Sequence, residues 1–385
     1  MTVHTDLLIV GAGPFGLGMA AYAKAHAIDH LLLGEPMDFW RSNMPEGMIL
    51  RSASDWHLDP AGLHTIEAYL RTQGLTPADV EPLSLPFYLG YTTWFMERKR
   101  IEAVRRFVHR LDRDPRGRLV ATLDDGEEVI ARDVVLALGF RHFRNVPAEV
   151  ARLVPPDRIA HTCDFVDMER MRGRRCLIVG GRQSAYEWAA LLAEHGATEV
   201  HVSHRHDAPS FEPSDWSWVG PLVERMVAEP GWFRRLTDEQ RTEMGRRFWA
   251  EGRLKLEPWL APRLDAEVVR VWPCSRLVAC EPSSDGLGIE LDAGRHLTVD
   301  QVVMATGYRP DMAAVPLLAR GNITVETKDG FPRLDDCLQS SVPGLFITSM
   351  PAAQDFGPFF AFTVSVVASA KMIGSAIAAP IRRTA

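Results

Sequence analysis

Residues 7–16 read Leu7-Leu8-Ile9-Val10-Gly11-Ala12-Gly13-Pro14-Phe15-Gly16, a short apolar run that stops at a glycine-rich turn. Such a run suits a strand buried on both faces of a parallel sheet. The next stretch, Leu17 to Ala27, is rich in small and apolar residues and predicts a helix opening from the turn. Strand, Gly-x-Gly-x-x-Gly and helix in that order make a dinucleotide fingerprint. Gly11 permits a tight turn, Gly13 lets the backbone approach a pyrophosphate, and Gly16 lets helix and strand pack closely. Pro14 and Phe15 complete the cradle, and the helix N-terminus turns its unpaired N–H groups toward the phosphates. Glu35 follows the next apolar run, Leu31-Leu32-Leu33, where an acid can accept hydrogen bonds from ribose hydroxyls.

The plan occurs twice. Cys176-Leu177-Ile178-Val179 leads into Gly180-Gly181-Arg182-Gln183-Ser184-Ala185. A second element also repeats: Leu123-Asp124-Asp125-Gly126 precedes Val134 to Gly139, and Leu291-Asp292-Ala293-Gly294 precedes Val302 to Gly307. Each reads as strand, Asp-x-Gly hairpin turn, strand, then a buried apolar strand ending at glycine. The expected fold is α/β, with two Rossmann-like dinucleotide-binding domains, the second inserted in the first. Residues 1–164 and 294–385 make the first domain and 165–293 the second. A helical insertion around 209–262 is rich in Trp, Pro and charge, with a helical stretch over 238–251.

The second turn departs from the pattern, since Arg182 stands where the second glycine belongs. Two readings are open. Either Arg182 swings aside and pairs with a phosphate, as a guanidinium does well, or the site is a decayed structural duplicate. After the strand expected over 198–203 comes His204-Arg205-His206 in place of an acid. A basic residue there, with Arg205 as the candidate, suits the 2′-phosphate of NADPH, while NADH stays compatible.

Composition narrows the function. A chain of 385 residues has room for two domains. The net charge of −7 argues against a nucleic-acid partner. Five cysteines without a Cys-x-x-Cys pair suggest reduced thiols in the cytoplasm. No signal peptide is expected, because the first apolar run enters a glycine turn. The apolar stretch 359–370 is cut off by Lys371, too short to span a membrane, and predicts a buried helix. No metal site is expected. The partner is a small molecule, and a homo-oligomer is compatible with the sequence.

Over nearly its whole length the chain resembles the two-dinucleotide-domain flavoproteins, and within them the single-component flavin-dependent monooxygenases. The resemblance rests on Gly11, Gly13, Gly16 and Glu35, on the second turn through Gln183-Ser184-Ala185-Tyr186-Glu187, and on Ala305-Thr306-Gly307-Tyr308. That last motif looks like one found in amine N-hydroxylases and flavin-containing monooxygenases. Phe39-Trp40-Arg41 and Met44-Pro45-x-Gly47-Met48-x-Leu50-Arg51-Ser52 resemble the stretch beside the isoalloxazine ring. Gln354-Asp355-Phe356-Gly357-Pro358 resembles the turn before a last helix whose N-terminus points at the flavin.

The resemblance implies FAD on the first domain, in contact also with Val108, Ala137, Gly139, Thr306 and Gly307. It implies NADPH on the second, at Gly180, Arg182, Ser184 and Arg205. NADPH then reduces the flavin, O2 forms a peroxide at C4a of the ring, and one oxygen atom passes to a small organic substrate. Arg51, Ser52, His57 and Gln183 are the candidates near the reacting face: Arg51 to stabilise the peroxide or anchor an anionic substrate, Gln183 to hold the nicotinamide ribose. The sequence departs from the monooxygenase fingerprint Phe-x-Gly-x-x-x-His-x-x-x-(Phe/Tyr/Trp), keeping only His161 and Phe165, with Pro155 and Asp157 at the other places. The same fold also serves NAD(P)H-dependent flavin reductases with another acceptor, and a flavin-bearing redox sensor with a defunct second site.

Overall fold

The computed structural model describes residues 2–292 and 294–378. Ala293, in the second hairpin turn, lies outside the described residues. The first apolar run ends strand β1 (Thr2–Val10), whose last four residues are fully or nearly fully buried. β2 (His30–Leu33), β3 (Val108–Arg113), β4 (Leu119–Leu123) and β5 (Glu128–Leu136) follow. They form a sheet ordered β2-β1-β5-β4-β3, with β1 parallel to both neighbours and β3, β4 and β5 antiparallel.

β6 (Ile159–His161), β7 (Arg175–Val179), β8 (Glu199–Ser203) and β9 (Val269–Trp272) belong to a second sheet. β10 (Leu277–Ser283), β11 (Gly286–Leu291) and β12 (Arg295–Val299) make an antiparallel three-stranded sheet, and β13 (Gln301–Met304) returns to the second sheet between β6 and β7. β14 (Thr327–Lys328) and β15 (Phe331–Pro332) form a small hairpin, and β16 (Leu345–Ile347) closes the first sheet beside β5. Two parallel-sheet units are thus present, as expected.

Their edges differ from 165 and 293. β6 lies before residue 165 and β12 and β13 lie after 293, yet β6 and β13 pair within the second sheet. The chain is back on the first unit by Asn322, which donates from its backbone to Asp112 of β3 at 2.9 Å. The repeated hairpins also differ. In the first unit the return strand and the buried apolar strand are one continuous β5; in the second they are split into β12 and β13 at Asp300. The cause is Arg175: its N–H donates to the Asp300 carboxylate at 2.8 Å, its carbonyl accepts from the Asp300 N–H at 2.9 Å, and its guanidinium pairs with that carboxylate. Those bonds carry the chain from one sheet to the other.

The C-terminal helix starts later than expected, at Val366, and runs to Ala378; 358–361 and 363–365 are 3-10 turns. It packs on helix Pro14–Ala25 at glycines: a Cβ on Gly18 would lie 2.5 Å from Val366, and one on Gly374 2.0 Å from the Tyr22 ring. Among the described residues no helix is long and apolar enough to cross a membrane.

Candidate cofactor and active site

Both glycine turns are built alike. Gly11 has φ +106°, and a Cβ there would lie 2.5 Å from the Ala137 carbonyl oxygen at the end of β5. Gly180 has φ +144°, and its Cβ would lie 2.4 Å from the Ala305 carbonyl oxygen at the end of β13. An L side chain at either position is excluded by conformation and by contact. Gly139 and Gly307, two residues beyond those alanines, also have positive φ and face open space. At Gly16 a Cβ would lie 1.8 Å from the Gly11 carbonyl oxygen, whereas at Gly13 it would meet nothing within 4 Å. The space above Gly13 is therefore open, and helix Pro14–Ala25 has no acid in its first turn to oppose a phosphate. These residues fit a dinucleotide. Glu35 pairs with Arg105 at 3.0 Å and borders a cavity of about 520 Å³ shared with Met37, Arg41, Thr92 and Met96.

At the second turn Arg182 caps helix Gln183–Glu194 with extended backbone (φ −116°, ψ −180°), a conformation open to any residue. Its guanidinium lies 5.5 Å from the Trp249 ring centroid. Gly181 is required by what lies behind it: a Cβ would come within 2.4 Å of the His204 ring. His204 is buried, donates from Nδ1 to the His206 carbonyl at 2.8 Å and accepts at Nε2 from Tyr186 Oη at 2.9 Å. Burial pushes its pKa down, so the ring is neutral. Of the basic run after β8, the exposed Arg205 is the open cation, and His204 is a packing residue.

The segment 44–52 is held by both units, with the Leu50 N–H donating to the Leu83 carbonyl at 2.8 Å on the first. Ile49 donates its N–H to Glu187 at 2.8 Å. Arg51 pairs with Glu257 at 2.8 Å, donates to the Gly252 carbonyl at 2.8 Å and contacts Ser214, which itself donates to Glu257 at 2.7 Å. Expected as a free cation for peroxide or substrate, Arg51 is committed to this clamp because Glu257 stands opposite it. Gln183 accepts from the Glu257 N–H at 3.1 Å, and its buried Nε2 has no partner among the described residues. Met48 packs into the second unit's core, Leu50 is buried, and Trp40 stacks on Tyr88 at 4.8 Å. Ser52 accepts from Thr363 at 3.4 Å. His57 accepts the Asp59 N–H at Nδ1 (3.2 Å) and is held neutral chiefly by burial. Asp355 accepts the Leu334 N–H at 2.8 Å, Phe356 is buried against Phe360, and Pro358 opens a 3-10 turn rather than the last helix. Val108 begins β3, and Ser184 lies in the first turn of helix Gln183–Glu194.

Glu187 is buried, which pushes its carboxyl up to about 7. The native state keeps this proton where the unfolded chain has lost it, so rising pH removes stability between about 4.5 and about 7, and no more above that. Glu187→Gln, which still accepts from Ile49, should flatten this fall; melting temperature against pH checks it. An identical slope in both proteins excludes Glu187 as its source.

The Ala305-Thr306-Gly307-Tyr308 motif ties the units together. Asn145 donates to the Thr306 carbonyl at 3.2 Å and its carbonyl accepts from the Thr306 hydroxyl; His161 Nε2 donates to the Gly307 carbonyl at 2.9 Å. Tyr308 lies among Phe39, Phe140 and His161. Beside it burial pushes the Cys163 thiol up to about 11, and all five cysteines are free. Glu187 belongs to the second-turn motif, which gives it no role of its own, and Ser214, Trp249, Arg253 and Glu257 carry no sequence signal. Four of these belong to the insertion, which carries no repeat or turn signature.

Two glycine cradles of one construction, on two sheets joined at one interface, define a two-site nucleotide oxidoreductase fold. Residues 8–244 match the pyridine nucleotide-disulphide oxidoreductase family, and the chain belongs to it. It is 25% identical over 362 residues to a probable indole-3-pyruvate monooxygenase of Arabidopsis thaliana, covering 85% of this chain and 79% of the relative. It is likewise 25% identical over 350 residues to a ferredoxin–NADP reductase of Thermus thermophilus, covering 89% and 83%. The Kutzneria sp. 744 ornithine N-hydroxylase, solved with reduced FAD, NADP+ and L-ornithine, superposes with a TM-score of 0.77 at 17% identity, over 97% of this chain and 99% of its own. The resemblance to flavin-dependent monooxygenases drawn from the motifs is borne out by these relatives.

Proposed function

We propose that the protein is an FAD-dependent, NADPH-consuming monooxygenase that places one oxygen atom of O2 on a small organic substrate. The observation that carries this reading is the pair of matched glycine turns, at Gly11–Gly16 with open space above Gly13 and at Gly180–Arg182, on units bound together through residues 44–52 and 305–308. FAD belongs to the first cradle, with Glu35 at its ribose end, and NADPH to the second. When bound, the flavin accepts hydride from the nicotinamide and activates oxygen. The chain's own residues orient the two cofactors and exclude water. Gln183 offers its free buried Nε2 as a donor into the interface, and the Arg51–Glu257 clamp fixes the segment at the reacting face. Five free cysteines, with the thiol nearest the interface protonated, favour this reading over a dithiol relay.

The test is NADPH and O2 consumption by the purified yellow protein with peroxide release followed. Slow NADPH use that leaks peroxide, and stops leaking when substrate is added, is the expected result. Rapid electron transfer to dyes or quinones with little O2 use indicates a reductase. A flavin that neither nicotinamide bleaches rules out both enzymes. Arg205→Ser should raise KM for NADPH about tenfold, the worth of one charge-assisted hydrogen bond, while leaving KM for NADH nearly constant. Equal changes for both nucleotides remove Arg205 from the 2′-phosphate.

A further inference from the structure

A chain of guanidinium groups follows the interface. Arg205 stands after β8, Arg182 at the second turn, Arg253 on the insertion against the same Trp249 ring as Arg182, and Arg51 of the first unit donates to the carbonyl of Gly252, the residue before Arg253. Glu257 neutralises Arg51. Arg182 and Arg253 have no carboxylate within ion-pairing distance among the described residues. Both lie against Trp249 instead, at 5.5 and 5.9 Å from its centroid, and Arg253 also lies 5.7 Å from that of Phe362. Burial and the like charges of Arg51 and Arg182 pull the Arg253 guanidinium down to about 10. Residues Trp249–Arg253 form a single π-helical turn, a geometry frequent at functional sites. A cation held among cations, with no carboxylate paired to it among the described residues, is an unfinished arrangement that an anion completes.

We propose that Arg253 anchors the substrate of the monooxygenase through a carboxylate, carried on a body of aromatic size. The inference rests on the function proposed above. The phosphates of the dinucleotide already have Arg182 at the turn and Arg205 after β8. Arg253 is a further cation, on the side of Arg51 and Phe362. The body of the ligand has an aromatic surface to meet: Trp216 lies 5.4 Å from Phe248 and 6.4 Å from Phe362, and Phe248 lies 5.8 Å from Phe362. Trp216 Nε1, in this cluster, is a buried donor without a partner among the described residues. A guanidinium presents paired N–H groups that match a carboxylate's two oxygens, and aromatic faces at its sides leave those edges free.

The test uses the FAD-loaded protein saturated with NADP+. Phenylacetate and 3-phenylpropionate, and their neutral amides, are titrated against tryptophan fluorescence and by calorimetry. The carboxylates should bind more tightly than the amides. Arg253→Met should weaken carboxylate binding at least tenfold without altering the amides, and Arg253→Lys should recover part of the loss. Affinity for NADP+ and 2′-AMP, titrated separately, should fall in Arg182→Met and hold in Arg253→Met. Equal binding of acids and amides overturns the proposal. So does a loss of NADP+ affinity in Arg253→Met that matches any loss of carboxylate, which would give Arg253 to a phosphate. If Arg253→Met does not fold, the acid–amide comparison in the unaltered protein and in Arg253→Lys decides. Bleaching of the flavin by NADPH is read in parallel. Carboxylate selectivity without bleaching sinks the monooxygenase and keeps the anchor, and bleaching without selectivity does the reverse.

Discussion

Gly16→Ala should give an unstable protein that retains no flavin, while Gly13→Ala should fold normally and still lose its flavin. The two glycines stand three residues apart in one turn and face opposite constraints. A Cβ at Gly16 meets the Gly11 carbonyl oxygen at 1.8 Å, backbone against backbone, so helix and strand must separate. Overpacking of this kind costs about 1–3 kcal/mol, and displacing the helix also removes the phosphate-facing N–H groups. Gly13 has an extended backbone (φ −80°, ψ −172°) and no atom within 4 Å of a Cβ. Alanine fits there in the ligand-free protein and stiffens the unfolded chain, so stability should hold or rise slightly. The methyl group instead occupies the space the pyrophosphate needs. Loss of one or two charge-assisted hydrogen bonds, about 1.5–3 kcal/mol each, weakens FAD binding by roughly tenfold to ten-thousandfold. Thermal unfolding and FAD content after desalting read both effects. A Gly13→Ala protein that keeps a full complement of FAD would falsify the placement of the pyrophosphate over this turn.

Asp59→Ala should cost about 3–5 kcal/mol, the range for removing one partner of a buried ion pair. Asp59 is fully buried; it pairs with Lys99 at 2.7 Å and accepts backbone N–H groups of Ala61, Leu63 and His64 at 3.1, 3.0 and 2.8 Å. Burial opposes its charge, but the Lys99 bond and those N–H groups outweigh it and hold the carboxyl down at about 2. The sign follows. Unfolded, the group titrates near 3.8, so its contribution is complete above that pH and is lost as pH falls toward about 2. Denaturant midpoints across that window should converge for the parent and Asp59→Ala at the acid end. A gap that stays constant with pH would show that the carboxylate's charge is not what the loop depends on. The effect belongs to the first unit's architecture, since Asp59 closes the loop ahead of helix Ile66–Gln73 and also bears on His57.

The first turn was legible because its constraints are local. Strand, glycines and helix lie within twenty residues, and two of the three glycines answer a contact made inside the unit: Gly16 against Gly11, Gly11 against the end of β5. The repeat then carried the same reading to Gly180 and Ala305. Legibility stopped where partners come from distant segments. Arg51 read as a free cation because Glu257, which neutralises it, lies about two hundred residues away in an insertion without periodic signature. His204 read as part of a basic run, yet the depth of β8 buries it and Tyr186 fixes its neutral tautomer. The split of β12 from β13 depends on Arg175 meeting Asp300, a pairing that no local pattern encodes.

By itself the sequence determined two glycine-turn units and the need for glycine at each turn, because steric limits on glycine act at short range. Only the tertiary structure decided which charges are spent and which are left. Arg51, His57 and Asp355 are taken by protein partners, while Gln183 Nε2 and the guanidinium groups of Arg182 and Arg253 have no hydrogen-bond or ion-pair partner among the described residues. The physical reason is that a charged or polar group's availability depends on burial and on what stands within a few ångströms, and across this interface those neighbours come from opposite ends of the chain.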